Sequence, residues 1–228
     1  MMSALGDFYL LFNIFFMRKE QIVNDGYYHV YNRGVDRRST YGNDNDRERF
    51  IRSMLAFNDT GDRRIVLHRL QHRPSPSKNP LVKIMSYAIM PNHYHFLLKQ
   101  VSDNGVSRFM QKLGVGFAQY FNRQNERTGR LWESEYKAVP IKSDAQLLHI
   151  SRYIHFNPLK LFLPDWKIRG IENWDVANAL LTSYPWSSYS HYLMLVHDPI
   201  VSMDILSNLF QGKSDYQKFM REWSGVRN

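Results

Sequence analysis

Residues 82–101, VKIMSYAIMPNHYHFLLKQV, hold two apolar runs, Val82 to Ile89 and Tyr94 to Val101, separated only by Met90-Pro91-Asn92. So short a connection forces antiparallel pairing, and the stretch predicts a β-hairpin. Toward the N-terminus, Tyr27 to Tyr31 (YYHVY) is aromatic and β-branched, starts after Gly26 and stops at Asn32-Arg33-Gly34, which predicts a first strand. Between these, Asn43 to Asp46 offer caps to a first helix with Phe50, Ile51, Met54, Leu55 and Phe57 at helical spacing. Gln71 to Pro80 (QHRPSPSKNP) reads as an exposed loop. After the hairpin, Val106, Phe109, Met110, Leu113, Phe117 and Tyr120 trace one face of a second helix, with Gly129 available to end it. Leu131 to Ile141 predicts a fourth strand, at an edge because Pro140 cannot donate to a ladder. The order βαββαβ is that of an α+β, ferredoxin-like fold: one antiparallel sheet with helices on one face and the other face free for a ligand.

A third helix starts at Ser143, with Gln146 three residues on as in a capping box, and ends at Asn157 before Pro158. Beyond it, Trp166, Trp174, Trp186 and Trp223 mark an aromatic-rich tail of short helices. The chain therefore divides into an appended segment 1–21, a domain 22–158 and a C-terminal helical extension 159–228 that packs on the domain. Within the first segment, Phe8 to Met17 (FYLLFNIFFM) is too short to span a bilayer, and Arg18 and Lys19 follow it where a signal peptide carries its charge in front. Either Met17 is the native start or this run is a peripheral helix.

Thirty Lys and Arg against 21 Asp and Glu give 30 − 21 = +9, which points to a polyanionic partner, nucleic acid before an anionic membrane. The 43% hydrophobic and 14% aromatic content excludes a disordered or low-complexity chain. Zero Cys removes thiolate nucleophiles, disulfides and cysteine zinc sites, so any metal must use His, carboxylate, amide or water.

His93 and His95 flank Tyr94, and alternation along a strand points both imidazoles to one face, where they can share a divalent cation. On the third helix, an advance of about 100° per residue sets Gln146, His149, Tyr153 and Asn157 on one face, with Tyr153 and Asn157 a turn apart. By periodicity alone this polar face can simply meet solvent. Taken with the two-His strand and the basic composition, it suits phosphodiester chemistry: a metal on His93, His95 and Asn157 acting as Lewis acid, and Tyr153 as nucleophile. A free phenol titrates near pH 10, so it needs electropositive surroundings or a base such as His149.

These residues carry a resemblance. Met90-Pro91-Asn92-His93-Tyr94-His95-Phe96 resembles the His-hydrophobic-His motif of HUH-type single-tyrosine transposases, and Arg152-Tyr153-Ile154-His155-Phe156-Asn157-Pro158 the nucleophile helix of their REP-associated branch. Tyr28 to Gly34, Gly129 to Glu133 with Tyr136-Lys137, and Pro185 to Tyr189 are similar to further blocks of that family, in the same order. The resemblance implies a ferredoxin-like catalytic domain, Mg²⁺ or Mn²⁺ on His93 and His95, Tyr153 as nucleophile, and single-stranded, often hairpin, DNA as substrate. Insertion-sequence members carry Gln one turn after the Tyr; Asn157 stands there in this chain, as in the REP-associated branch, and is the implied third ligand. Insertion-sequence members are dimers, whereas the REP-associated branch is monomeric, so monomer and homodimer both stay open. The implied setting is cytoplasmic and nucleoid-associated, with no membrane partner.

For the DNA surface, Arg33, Arg37 and Arg38 follow the first strand and Arg123, Arg127 and Arg130 follow the second helix; both groups can line a backbone groove with Trp132 or Tyr136 as stacking platform. His29, His68, His72 and His155 read as structural or surface residues. Two other readings remain open at this level: a non-catalytic hairpin-binding module, and a His-ligated metallohydrolase that uses water and leaves Tyr153 idle.

Overall fold

A computed structural model describes residues 21–61, 75–196, 199–203, 209–210 and 212–223. The segment before residue 21, with the Met17 question, His68, His72 and the start of the Gln71–Pro80 loop lie outside these residues.

The hairpin forms as read, β2 (Val82–Met90) and β3 (His93–Gln100), with β1 (Tyr27–Arg33) beside β3 and β4 (Lys137–Ile141) beside β1. All three pairings are antiparallel, giving the order β2-β3-β1-β4 of a ferredoxin-like sheet. Helix α1 (Asp44–Phe57) begins where Asn43 accepts from the Asp46 amide at 3.1 Å. It packs with α2 (Gly105–Gln124) on one sheet face, burying Phe50, Met54, Phe109, Leu113 and Phe117 against Tyr94 and Phe96.

Three features depart from the sequence reading. Helix α2 stops at Gln124, where the Asn125 side chain donates to the Phe121 carbonyl at 2.8 Å; Gly129 sits beyond it in a loop, at φ +86°. The fourth strand starts at Lys137, because Leu131 and Trp132 are apolar core residues and the latter only bridges Gly34. The second face of the sheet is not free: α3 (Asp144–Phe156) lies over β2 and β3. Its N-terminus has half of the expected capping box: Ser143 accepts from the Gln146 amide at 3.2 Å, whereas Gln146 Oε1 accepts from the amide of Lys142, one residue before the cap, at 2.8 Å.

Past Pro158 the chain forms α4 (Leu159–Phe162), α5 (Trp166–Arg169), α6 (Trp174–Ser183), α7 (Tyr189–Tyr192) and α8 (Lys213–Trp223). Between α6 and α7, Trp186 to Ser188 runs along the open edge of β2, where the Ile89 amide donates to the Trp186 carbonyl at 2.8 Å and the Ser188 amide to the Tyr87 carbonyl at 3.0 Å. An edge that would otherwise template association is thus covered. Beside it, a bulge at Met85 turns carbonyls out of the ladder; Tyr192 Oη donates to Met85 O at 2.7 Å and the Ser202 amide to Ile84 O at 2.8 Å.

Two glycines of α2 test the packing in opposite directions. A Cβ on Gly105 would land on the Leu81 carbonyl oxygen, whereas one on Gly114 would meet Trp132 Nε1 at an ordinary 3.9 Å. Gly105→Ala should therefore destabilise by about 1–3 kcal/mol, and Gly114→Ala should stabilise by about 0.5–1 kcal/mol through helix propensity. Urea unfolding at constant m checks both signs; equal midpoints for the two variants would contradict this packing.

Candidate functional site

Alternation sorts the side chains of β1 and β3. Tyr28, Val30, Tyr94 and Phe96 join the α1–α2 core, so His29, Tyr31, Arg33, His93 and His95 take the opposite face. The register then makes neighbours of them, since Tyr31 pairs with His95 and Arg33 with His93. Helix α3 covers this cluster with the face that carries Tyr153 and Asn157. The Tyr153 ring stands edge-on to His95 at 5.4 Å between centroids and to His29 at 5.8 Å.

Each imidazole of the pair has one nitrogen engaged. His93 Nδ1 lies 2.7 Å from Asn92 Oδ1, a pure acceptor, so that nitrogen carries the proton and the lone pair is on Nε2. His95 Nδ1 lies 2.9 Å from His29 Nε2, with the two rings stacked at 5.1 Å. When His95 donates, its lone pair also falls on Nε2 and His29 keeps its own proton on Nδ1, an atom with no partner among the described residues. Asn157 Nδ2 donates to the Tyr153 carbonyl at 2.9 Å, which leaves Oδ1 as its acceptor, and this side chain lies within hydrogen-bond reach of His93.

Burial holds the rings neutral. Desolvation pulls His93 down to about 4, opposed by a hydrogen bond in which the protonated ring would donate to Asn157, and pulls His29 to about 3 and His95 well below the usual imidazole range. Two neutral imidazoles with Nδ1 held by outer partners and a nearby amide oxygen form a donor set that fits a divalent cation.

His149 packs edge-on to Trp223 at 5.3 Å, and burial, then the Arg152 charge, lowers its pKa. A cationic rim surrounds the cluster. Lys160, Arg33 and Lys167 all act on His93, the Lys167 Nζ stands 5.3 Å over the Tyr153 ring, and Lys137 Nζ stands 5.9 Å from the Tyr31 ring.

The expected DNA-binding residues separate into groups. Arg33 is bound to Glu133, Nε to Oε2 at 3.0 Å and Nη2 to Oε1 at 3.2 Å. Arg37 lies against the hairpin turn, its carbonyl accepting from Asn92 at 3.0 Å, and Arg38 pairs with Asp36 at 3.5 Å. The Val35 amide donates to Leu131 O at 3.0 Å, which brings Arg130 to the same end of the sheet. Arg123 is exposed, while Arg127 stacks 5.8 Å from Phe121 and donates to Asn122 at 2.8 Å. Trp132 is not a stacking platform: it is 8% exposed, packed among Tyr94, Phe50 and Phe117, and its Nε1 donates to the Gly114 carbonyl at 3.2 Å. Tyr136 faces the helix layer with its hydroxyl on Ser107 Oγ at 3.0 Å, about 24 Å along α2 from Arg123.

Two histidines set aside in the sequence have partners here. His29 holds His95, a relation visible in the sequence only once β1 is known to pair with β3. His155 is fully buried, Nε2 on Ser188 Oγ at 2.7 Å and Nδ1 on the Tyr216 hydroxyl, and it ties α3 to the tail. Its pKa is lowered to about 3 by burial, then by His191.

The sign of the resulting pH dependence follows from linkage. Unfolded imidazoles titrate near 6.5, whereas in the native state burial lowers His93 to about 4, His29 and His155 to about 3, and His95 well below the usual imidazole range. The native chain binds fewer protons across that window, so stability is complete above pH ~6.5 and falls toward pH ~4, each histidine weighing up to about tenfold in the folding constant per pH unit. Urea midpoints at pH 7.5, 6 and 5 should drop progressively; equal midpoints would show that these rings are solvated.

Comparison with known proteins adds the family. Residues 23–157 match the sequence profile of the family described as "Transposase IS200 like". A solved structure of a REP-associated tyrosine transposase bound to a REP hairpin matches with a TM-score of 0.49 at 12% identity, over 82% of this chain and 93% of that one. None of the curated proteins compared matches the chain. With its histidine strand and tyrosine helix both inside the matched residues, the chain belongs to the IS200-like transposase family.

Proposed function

We propose that the chain is a metal-dependent transposase and endonuclease that cuts and rejoins single-stranded or hairpin DNA through a 5′-phosphotyrosine on Tyr153. One observation carries this reading: α3 sets Tyr153 5.4 Å from His95, on the face where Asn157 reaches His93. Family membership supports DNA strand transfer as the task, and the motif resemblance extends it to hairpin DNA.

In the cleavage step the Tyr153 oxygen forms the new O–P bond, the P–O3′ bond breaks, and the departing 3′ oxygen takes a proton. His149 stands one turn before Tyr153 and is neutral, so it suits the role of base for the phenol proton and donor to the 3′ oxygen. The phosphotyrosine conserves the bond energy, so a second 3′-hydroxyl reverses the attack at a new junction. His93, His95 and Asn157 would hold a divalent cation, which supplies Lewis acidity toward a non-bridging phosphate oxygen; a site with two imidazoles suits Mn²⁺ better than Mg²⁺. His29 orients His95 by accepting its Nδ1 proton. Arg37, Arg38 and Arg130, gathered at the His93 end of the sheet around the Arg33–Glu133 pair, would follow backbone phosphates.

Every residue in this scheme comes from one chain, with α3 over its own sheet, so a monomer suffices. Residues 22–158 then hold the chemistry and 159–228 fix α3. Among the described residues no helix is long and apolar enough to cross a membrane.

Denaturing electrophoresis of the protein with 3′-end-labelled single-stranded hairpin DNA and Mn²⁺ tests the scheme. Wild type should carry label only with metal; Tyr153→Phe should carry none, and His93→Ala should lose about 100-fold or more in rate. Cleavage by Tyr153→Phe without an adduct would make water the nucleophile, and tight binding without cleavage would make the chain a hairpin-binding module.

A further inference from the structure

Lys167 reaches over the histidine–tyrosine face and Lys160 is near enough to act on His93, and the scheme above gives neither a part. Both lie beyond the residues that match the family, 23–157: Lys160 on α4 and Lys167 on α5. Pro158 explains their arrival. It takes helical angles (φ −59°, ψ −26°) and follows an Asn157 that is also helical (φ −53°, ψ −43°), so the chain passes directly from α3 into α4 instead of leaving the face. Trp166 then packs beside Phe156, ring centroids 5.2 Å apart, and anchors α5. Its neighbour Lys167 reaches back over the site, Nζ 5.3 Å from the Tyr153 ring and 5.7 Å from the Trp166 ring. Both lysines are exposed, yet both act on His93, and Lys167 acts on His95 as well.

We infer that Lys167, with Lys160 as a second contact, binds the scissile phosphate against Tyr153, so that the C-terminal extension is part of the active site. The inference rests on Tyr153 being the nucleophile. Charge balance drives it. His93, His95 and Asn157 are neutral ligands, and the charges that act on His93, from Lys160, Arg33 and Lys167, are all positive. Arg33 already has Glu133 as partner. A divalent cation facing two ammonium groups across neutral ligands is self-repulsive until an anion enters between them. A phosphodiester is that anion: one non-bridging oxygen can face the metal ligands and the other an ammonium. A cation–π contact alone would account for Lys167 but not for a second lysine converging on the same imidazole.

The test uses the full chain, Mn²⁺ and a pool of 3′-labelled hairpin oligonucleotides with randomised single-stranded flanks. Lys167→Met, Lys160→Met and Lys167→Arg are compared with Lys213→Met, the same charge loss at the exposed start of α8. Adduct formation is followed at single turnover, and the slope of log affinity against log salt is measured in a Tyr153→Phe background. Lys167→Met should slow adduct formation about 100-fold and reduce the slope by about 0.7, Lys167→Arg should recover the slope and most of the rate, and Lys213→Met should leave the rate unchanged. A Lys167→Met rate equal to that of Lys213→Met overturns the inference and leaves Tyr153 in place as nucleophile. If wild type forms no adduct, Tyr153 is not the nucleophile and the slope decides. A reduction in Lys167→Met and Lys160→Met beyond that in Lys213→Met upholds the phosphate contact, and an equal slope overturns it.

Discussion

The β1–β3 register is the constraint on which everything else rests. Pairing Tyr31 with His95 and Arg33 with His93 fixes which side chains share a face. A slip of one residue would exchange the two faces of β1, carrying His29 into the α1–α2 core and Val30 out toward α3. That slip is opposed by more than the ladder. Val30 and Tyr28 belong to the buried core, and the Gly34 amide donates to Asn92 O at 2.8 Å while the Thr40 amide donates to Pro91 O at 3.0 Å. The loop after β1 is thus clamped onto the hairpin turn, and the histidine face inherits its precision from an apolar core on the other side of the sheet.

Helix α3 has to be held just as firmly, because a tyrosine and an amide one turn apart meet the imidazoles only if the helix neither rolls nor slides. Its contacts outside the site do this. Phe156 sits among Trp166, Trp174 and Trp223, and Arg152 stacks 4.0 Å from Phe219 while donating to the Phe219 carbonyl at 3.0 Å. His155 links Ser188 to Tyr216, and Ser188 Oγ in turn accepts from the Tyr87 amide of β2 at 2.8 Å. A buried polar chain of this kind has directional demands that apolar packing lacks, so it fixes rotation where the aromatic cluster fixes depth. Tail, helix and sheet edge are one unit.

What could be read in the sequence was local. The hairpin, the caps at Asn43 and Ser143, the shared face of His93 and His95, and the one-turn spacing of Tyr153 and Asn157 all lie within a few residues and obey periods of 2 or 3.6. What escaped was non-local or aperiodic. A lone histidine in YYHVY gives no sign that its ring will stack on another 66 positions away. Trp132 reads as a strand residue and a stacking platform, yet it only bridges Gly34 and fills the core between Tyr94 and Phe117. The tail's short helices carry too few turns for a period to emerge, so neither the strand-like cover of β2 nor the return of Lys160 and Lys167 to the site was legible. The second sheet face was read as free for the same reason: the βαββαβ order accounts for two helices, and the packing of a third depends on the tail that pins it.

Charge and neutrality are divided by depth. Among the described residues of this +9 chain, Arg37, Arg38, Arg123, Arg130, Lys160 and Lys167 are exposed, where such charges act over about a Debye length and attract a polyanion without regard to sequence. The imidazoles beneath are desolvated, which suppresses protonation and keeps their lone pairs available. Desolvation alone would make the rings poor neighbours for a cation, but His93 leans on Asn92 and His95 on His29, so the charge a cation would induce in each ring is shared with a second polar group. In the proposed scheme the exposed cations recruit DNA and the buried neutral donors act on it. The two layers are only one side chain apart, and Lys167 over the Tyr153 ring stands at the boundary between them.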